Sequence, residues 1–82
     1  MNRQTRSTWL TVSRLTPEAQ LTLDGSGRIA RDVPWPVYEE LITHRCARRG
    51  GVVTPHGQRV GAAVRGELGS PPDWHDLGGA AS

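Results

Sequence analysis

The side chains in this sequence that could do chemistry include one cysteine and three histidines. Cys46 lies between His44 and His56, and His75 stands near the end of the chain. A zinc site needs ligand pairs at close spacing, such as C-x-x-C or H-x-x-x-H, and neither pair occurs. The sequence therefore predicts no metal ion and no cofactor.

Catalytic motifs are missing from the sequence as well. It contains no G-x-S-x-G nucleophile turn and no phosphate-binding P-loop, and no carboxylate pair stands with a histidine in an acid–base arrangement. Cys46 falls on the apolar face of a predicted helix, which is typical of an inert core thiol. We therefore expect a protein that is not an enzyme.

The basic residues are unevenly distributed along the chain. All ten are arginines and lie within residues 1–65, which contain five acidic residues and therefore carry a net charge of +5. Residues 66–82 contain three acidic residues and no basic ones, a net charge of −3. This asymmetry indicates a polyanionic partner for the body of the chain.

The length and composition of the chain limit the kind of fold that can position these side chains. A chain of 82 residues forms one small domain, and its ten Gly and six Pro predict short elements around a lean core. The longest apolar run, residues 60–64, is far below the ~20 residues of a membrane helix, and the start of the chain is polar. We expect a soluble, cytoplasmic protein with no membrane partner, to which dimerisation would add stability.

Three parts are predicted along the chain. Residues 1–8 lack apolar periodicity and are expected to form a flexible arm, and residues 9–68 form the domain. Residues 69–82 are rich in Pro, Gly and Ser and are expected to be a disordered acidic tail.

The first third of the domain permits alternative structures. The apolar residues of 9–15 fit either a short strand or one helical turn. Thr16 and the proline after it are typical of a helix start, which predicts a short helix to about Leu23. The alternative is a hairpin with strands 20–23 and 28–30 around the Asp-Gly-Ser-Gly turn.

The remaining elements have clearer signals. Residues 33–47 show the i, i+3, i+4, i+8 spacing of an amphipathic helix, with Glu39 and Glu40 expected in its first turn. The run Arg-Arg-Gly-Gly-Val-Val at 48–53 predicts a hairpin with a two-residue Gly-Gly turn. A cap at Thr54 and one apolar face predict a last helix to about Leu68, in which Gly57 and Gly61 indicate close backbone packing.

Residues 15–68 resemble the winged helix-turn-helix domains of small bacterial and phage regulators. Residues 53–60, VTPHGQRV, are similar to the "L-T-x-x-G-R" stretch that leaves the wing in that family. Residues 38–49 take the place of its "L-x-x-R-G-L" run, with Cys46 at the position of the helix-ending glycine and Ala47 at that of the leucine. The resemblance implies a mainly α fold with a small β-hairpin and a DNA-binding transcriptional regulator that acts as a homodimer.

A second resemblance competes with the first. Residues 23–29, LDGSGRI, followed by residues 34–41, PWPVYEEL, are similar to the "D-x-x-G-R-I" and "P-x-x-V-x-x-x-L" pattern of swapped-hairpin transition-state regulators. That family also consists of small dimeric DNA-binding proteins, so the two resemblances differ in architecture more than in function. We rank this resemblance second, because the two extra residues between its halves would change the strand register.

The winged-helix interpretation assigns a candidate site on double-stranded DNA. Arginines near the wing would hold phosphates, and polar residues on the third helix would lie nearest the bases. Glu39 and Glu40 are expected to stabilise the helix start, because carboxylates oppose phosphate binding. The predicted DNA-binding residues are Arg28, Arg31, Thr43, His44, Arg48, Arg49 and Arg59.

The rival hypothesis is a protein-binding adaptor on the same scaffold. Its contacts would be the acidic helix face, Glu39 and Glu40, together with Trp74 and Leu77 of the C-terminal tail. An aromatic residue and a leucine between acids are typical of a short linear motif that docks onto a basic groove.

Overall fold

The computed structural model describes residues 3–70, which form helices and one small sheet. The helices are α1 (Arg3–Arg14), α2 (Pro17–Thr22), α3 (Trp35–Thr43) and α4 (Pro55–Val64). Between α3 and α4, β1 (Ala47–Arg48) and β2 (Val52–Val53) pair antiparallel. This part of the chain is therefore mainly helical with a two-stranded sheet, as expected from the sequence.

Helix α1 occupies most of the segment for which an arm was predicted. It starts at Arg3, so residues 3–8 are helical instead of forming the flexible arm expected over 1–8. Thr8 and Trp9 are buried, and Trp9 packs against Ala63 of α4. This burial explains the helix, since helices in proteins are stabilised mainly by packing of one face. Residues 9–14, for which strand and helix both fitted, are helical.

Helix α2 confirms the short helix that was predicted to begin after Thr16. The hydroxyl of Thr16 accepts a hydrogen bond from the Ala19 amide at 3.4 Å, and the helix begins at the following proline. Because residues 20–22 are helical, the alternative hairpin with strands 20–23 and 28–30 is wrong. Leu23 follows the helix and is buried in the core.

Helix α3 is shorter at both ends than the predicted helix over residues 33–47. It ends where Arg45 adopts a positive φ of 61°. The Arg45 amide donates to the Ile42 carbonyl at 2.9 Å, and the Cys46 amide donates to the Leu41 carbonyl at 2.8 Å. These two bonds define a left-handed helix cap, which glycine usually provides.

The position of this cap differs by one residue from the one that the family resemblance implied. Cys46 was aligned with the helix-ending glycine, but the left-handed position belongs to Arg45. Cys46 and Ala47 are both buried in the main core. The sequence has no glycine at this point to mark the end of the helix, so the left-handed residue was not predicted at Arg45.

The predicted hairpin is present with a longer turn. Arg48 pairs with Val52, so the connection is the three residues 49–51 instead of two, and Gly50 and Gly51 have φ values of 97° and 82°. Arg28 adds an isolated antiparallel bridge to Val52. The segment before α3 therefore lies against the outer edge of the hairpin.

Helix α4 starts as predicted and ends early. The hydroxyl of Thr54 accepts from the Gly57 amide at 3.0 Å. Helix α4 stops at Val64, ahead of Gly66, which has a φ of 82°. Leu68, which was expected on the buried face, is 47% exposed because the helix does not extend to it.

One main core joins the helices to the hairpin. A Cβ on Gly57 would lie 2.0 Å from the Cys46 carbonyl oxygen, and one on Gly61 would lie 2.8 Å from that of Leu23, which confirms close packing at both glycines. The buried core residues are Leu15, Ala19, Leu23, Ile29, Leu41, Cys46, Ala47, Val53 and Val60. None of the helices in residues 3–70 is long and apolar enough to cross a lipid bilayer. The tail prediction from residue 71 onwards lies outside the described residues.

Candidate nucleic-acid interface

The turn of the hairpin is fastened to the first half of α3 by one side chain. The Tyr38 hydroxyl donates to the Arg48 carbonyl oxygen at 2.8 Å and accepts from the Gly51 amide at 2.9 Å. Both ends of the turn are therefore held at the level of Tyr38. The arrangement requires a tyrosine at this position of α3, because its hydroxyl acts as donor and acceptor at once.

The segment before α3 closes the other side of the turn. The Ile29 amide donates to the Gly51 carbonyl at 2.7 Å, and the Val53 amide donates to the Gly27 carbonyl at 3.0 Å. An open groove of about 380 Å³ lies between this segment, the start of α3 and the turn. It is lined by Ile29, Ala30, Arg31, Val33, Trp35, Tyr38, Gly50 and Gly51.

Four arginines surround this groove and the hairpin. Arg28, Arg31, Arg48 and Arg49 are exposed, and we call them the hairpin cluster. Within residues 3–70 the recorded salt bridge is Arg65 to Glu67, so none of the four is neutralised by a described carboxylate. The sequence predicted all four as DNA-binding residues, and the structure brings them to one side of the molecule.

Trp35 is a candidate that sequence analysis missed. It opens α3 and is 60% exposed, although it contacts Tyr38 edge to face with ring centroids 5.4 Å apart. Large exposed aromatic rings beside arginines are common in nucleic-acid and protein interfaces. The signal in the sequence was a tryptophan between Pro34 and Pro36 at a helix start, outside the apolar stripe of that helix.

Thr43 and His44 lie at the opposite end of α3 from the hairpin turn. His44 is six residues beyond Tyr38, which is about 9 Å along the helix axis. Thr43 and His44 therefore lie beyond the half of α3 to which the hairpin turn is bonded. Thr43 is exposed, and His44 is half-buried where α3 ends.

A second basic group forms where the end of α3 meets the start of α4. The Thr54 amide donates to the Cys46 carbonyl at 3.0 Å, and the Thr54 hydroxyl donates to the Arg45 carbonyl. These bonds fix the end of α3 beside the first turn of α4. We call the group of His44, Arg45, His56 and Arg59 the joint cluster.

His56, the histidine of α4, has a pKa that the other charges of the joint cluster affect. His56 Nε2 lies 2.9 Å from the Thr11 hydroxyl, which donates to the Ser7 carbonyl at 3.0 Å. Partial burial lowers the pKa of His56, and the charges of Arg59, Arg45 and His44 lower it further. The Nε atom of Arg59 is buried and has no hydrogen-bond partner among the described residues.

Comparison with known proteins does not identify this chain. No protein-family model matches it, and neither a curated protein nor a solved structure is significantly similar to it. Inference of function therefore rests on the geometry of its own residues.

The acidic face of α3 differs from its prediction. Neither glutamate lies in the first turn of α3. The Glu40 carboxylate accepts hydrogen bonds from the Thr16 amide at 2.7 Å and from the Thr16 hydroxyl at 2.9 Å, so it ties α3 to the start of α2. Of the adaptor surface proposed from the sequence, Glu39 is exposed, Glu40 is engaged, and Trp74 and Leu77 lie outside the described residues.

The cysteine is a core residue, as its position in the sequence predicted. Cys46 is fully buried, and burial together with the nearby charge of Glu40 raises the pKa of its thiol to about 11. A thiol with such a pKa is almost entirely protonated at neutral pH, and only the thiolate is a nucleophile. In the part of the chain that the structure describes, no group of three His, Cys, Asp or Glu side chains could hold a metal ion.

Proposed function

We propose that the protein is a DNA-binding regulator that works as a winged-helix module. In this interpretation α3 is the recognition helix and the β1–β2 hairpin is a short wing. The order of two helices, a bridging segment, a third helix, a hairpin and a last helix supports the proposal, since the wing then follows the recognition helix directly.

The observation that carries the proposal is the uncompensated charge of the hairpin cluster. Arginines bind phosphate oxygens through fixed pairs of N–H donors, and they favour binding by releasing counterions from the duplex. Arg48 and Arg49 stand on a turn that Tyr38 and the Gly51 backbone hold in place. A turn that is already held in place loses less conformational entropy on binding a DNA backbone than a free loop does.

In this proposal, the residues that contact the bases lie in the first half of α3. If the wing and α3 touch one duplex, the groove-facing part of α3 is the half beside the hairpin turn. We therefore assign Trp35 to apolar contact with bases and Glu39 to hydrogen bonding with cytosine N4, in place of Thr43 and His44. Arg28 and Arg31, which flank the bridging segment, would hold the adjoining phosphates.

The test is a comparison of charge-removing variants in duplex binding at about 50 mM salt. The double substitution R48Q/R49Q removes two charges of the hairpin cluster, and R3Q/R14Q removes two exposed charges from α1 as a matched control. We expect the first variant to bind a random-sequence duplex about tenfold or more weakly than the control, as measured by fluorescence anisotropy. Equal affinities would contradict the proposed surface.

The same measurement distinguishes the proposed DNA binding from the rival adaptor function. An adaptor would show no affinity for duplex DNA at low salt, in the wild type or in the control variant. The homodimer that the family resemblance implies is a further prediction, and sedimentation equilibrium of the full chain would test it.

A further inference from the structure

The joint between α3 and α4 gathers four basic side chains, none of which forms a salt bridge within the described residues. His44 and Arg45 end α3, and His56 and Arg59 lie one turn apart on α4. The hydrogen bonds of Thr54 to the Arg45 and Cys46 carbonyls keep the two segments adjacent. The backbone therefore brings the end of α3 and the first turns of α4, which carry these four residues, to one joint of the fold.

The charges that act on His56 are all of one sign. The three charged groups that act on the His56 imidazole are Arg59, Arg45 and His44, and no carboxylate is among them. On the facing helix α1, His56 meets the neutral hydroxyl of Thr11. Neither Arg45 nor Arg59 is recorded in a salt bridge with a residue of the described range. Assembling like charges costs free energy unless an anion or solvent compensates them.

Two features of the arginines point to a missing partner. Arg59 Nε is buried without a hydrogen-bond acceptor in residues 3–70, and a buried donor left in this way is costly. Arg45 holds a positive φ, a conformation that an arginine adopts at a cost in free energy. Unsatisfied donors and backbone strain are often retained at binding sites.

We propose that the joint cluster is a binding site for a phosphate-like oxyanion, held mainly by Arg45 and Arg59. A tetrahedral oxyanion offers several acceptor oxygens to two guanidinium groups and neutralises the two histidines beside them. The site is separate from the hairpin cluster, and its existence does not depend on the proposed DNA binding. The anion is either free in solution or a phosphate of a nucleic-acid backbone.

The probe is inorganic phosphate, titrated into the full chain at pH 7 with sodium chloride at equal ionic strength as the reference. The readout is the NMR signal of the His56 ring in protein labelled at histidine. We expect a saturable shift with phosphate and none with chloride, and a higher pKa of His56 in the phosphate-bound protein, because a bound anion favours the imidazolium form. A response to phosphate no larger than that to chloride would overturn the proposal.

Charge-removing variants locate the site. R59Q and R45G each remove one guanidinium from the joint cluster, whereas R48Q removes the same charge from the hairpin cluster. We expect R59Q and R45G to bind phosphate about tenfold or more weakly, and R48Q to bind it as the wild type does. Equal weakening in all three would show general screening and overturn the site. R45G keeps the test valid if R59Q does not fold, since Arg45 is exposed.

A competition experiment identifies the source of the anion. If saturating duplex DNA abolishes the response of His56 to inorganic phosphate, the site takes a backbone phosphate, and if the response persists, the site takes a free anion. Both results support the oxyanion site. A protein that binds no duplex would contradict the proposed function and leave the phosphate titration unaffected.

Discussion

Arg45 ends α3 in a backbone conformation that a glycine provides at the end of α4. Gly66 donates to the Ala63 carbonyl at 3.1 Å, and the Glu67 amide donates to the Ala62 carbonyl at 2.9 Å, which is the same pair of bonds found at the end of α3. Gly66 has a φ of 82° without steric cost, whereas the Cβ of Arg45 opposes its φ of 61°. One fold therefore contains a relaxed and a strained version of the same cap.

We expect Arg45→Gly to stabilise the protein by about 0.5–1 kcal/mol. Relief of the left-handed strain contributes about 1–2 kcal/mol, and the greater freedom of glycine in the unfolded chain offsets part of it. His44→Gly is the matched control, because His44 has a φ of −90° and gains nothing from glycine. Urea denaturation measures both free energies of unfolding. A loss of stability in Arg45→Gly would contradict the account of the cap.

The lowered pKa of His56 predicts a loss of stability in acid. In the unfolded chain His56 has the ordinary histidine pKa of 6.5, and in the folded protein its pKa is lower, so it binds a proton only at lower pH. The unfolded state therefore takes up more protons as the pH falls below about 6.5, and the free energy of unfolding decreases until the folded pKa is passed. Thermal denaturation between neutral and mildly acidic pH measures this, and His56→Gln should flatten the curve in that range. An unchanged curve in His56→Gln would assign the acid sensitivity to other groups.

At the scale of elements, α2 and α3 are joined through a carboxylate. Glu40 accepts both the amide and the hydroxyl hydrogen of Thr16, while Thr16 caps α2. One residue of α3 therefore fixes where α2 begins. Glu39, its neighbour in sequence, is exposed and forms no hydrogen bond of this kind with a described residue.

We expect Glu40→Ala to lower the free energy of unfolding by about 1–2 kcal/mol, because two hydrogen bonds to a charged acceptor are lost. Glu39→Ala is the control and should change it by less than about 0.5 kcal/mol, as surface substitutions usually do. Chemical denaturation of the two variants provides the comparison. Equal effects would mean that the link between α2 and α3 contributes little.

The hydrogen bonds of the Tyr38 hydroxyl join α3 to the hairpin turn, and their removal should destabilise that turn. Tyr38→Phe keeps the ring and removes the hydroxyl, so the Gly51 amide and the Arg48 carbonyl each lose a partner. We expect a loss of about 1 kcal/mol in stability and faster hydrogen exchange at the Gly51 amide. Ser13→Ala, which removes an exposed hydroxyl from α1, should leave Gly51 exchange unchanged. Unchanged exchange in Tyr38→Phe would show that the turn is held by its backbone bonds alone.

At the scale of the whole molecule, the arginines predicted to bind DNA belong to two groups instead of one. The hairpin cluster lies around the turn, whereas Arg59 belongs with His44 at the joint of α3 and α4. A duplex bound by the hairpin cluster alone involves about four phosphates, and affinity should then fall roughly 100-fold between 50 and 200 mM salt. R48Q/R49Q should halve the slope of log affinity against log salt. A slope that does not change would exclude Arg48 and Arg49 from phosphate contact.

Much of the architecture could be predicted from local signals. Thr16 and Thr54 with their following prolines located two helix starts, and the Gly50–Gly51 pair located the hairpin. These signals act within a few residues, because caps and turns satisfy their own neighbouring backbone groups. Helix ends were less predictable, since the end of α3 carries an arginine where glycine is usual.

The candidate site could be predicted only in part. The exposed arginines near the glycine turn were found from charge and spacing, but the separation of His44 and Arg59 from them depends on how the hairpin folds back along α3. Trp35 was missed because its exposure depends on what the other elements leave uncovered. Glu40 was assigned to its own helix because a bond to Thr16, 24 residues away, has no local signal.

The amino-acid sequence by itself determined the helix caps, the hairpin turn, the buried cysteine and the excess of arginine, because each depends on residue type and short-range spacing. Tertiary structure alone decided that residues 3–8 are helical, that Glu40 joins α2 to α3, and that the basic residues predicted to bind DNA divide between the hairpin and the joint. These features depend on contacts between distant segments. Burial of Trp9 against Ala63 and the hydrogen bond from Tyr38 to the hairpin turn stabilise the fold, and no single segment can form either contact by itself.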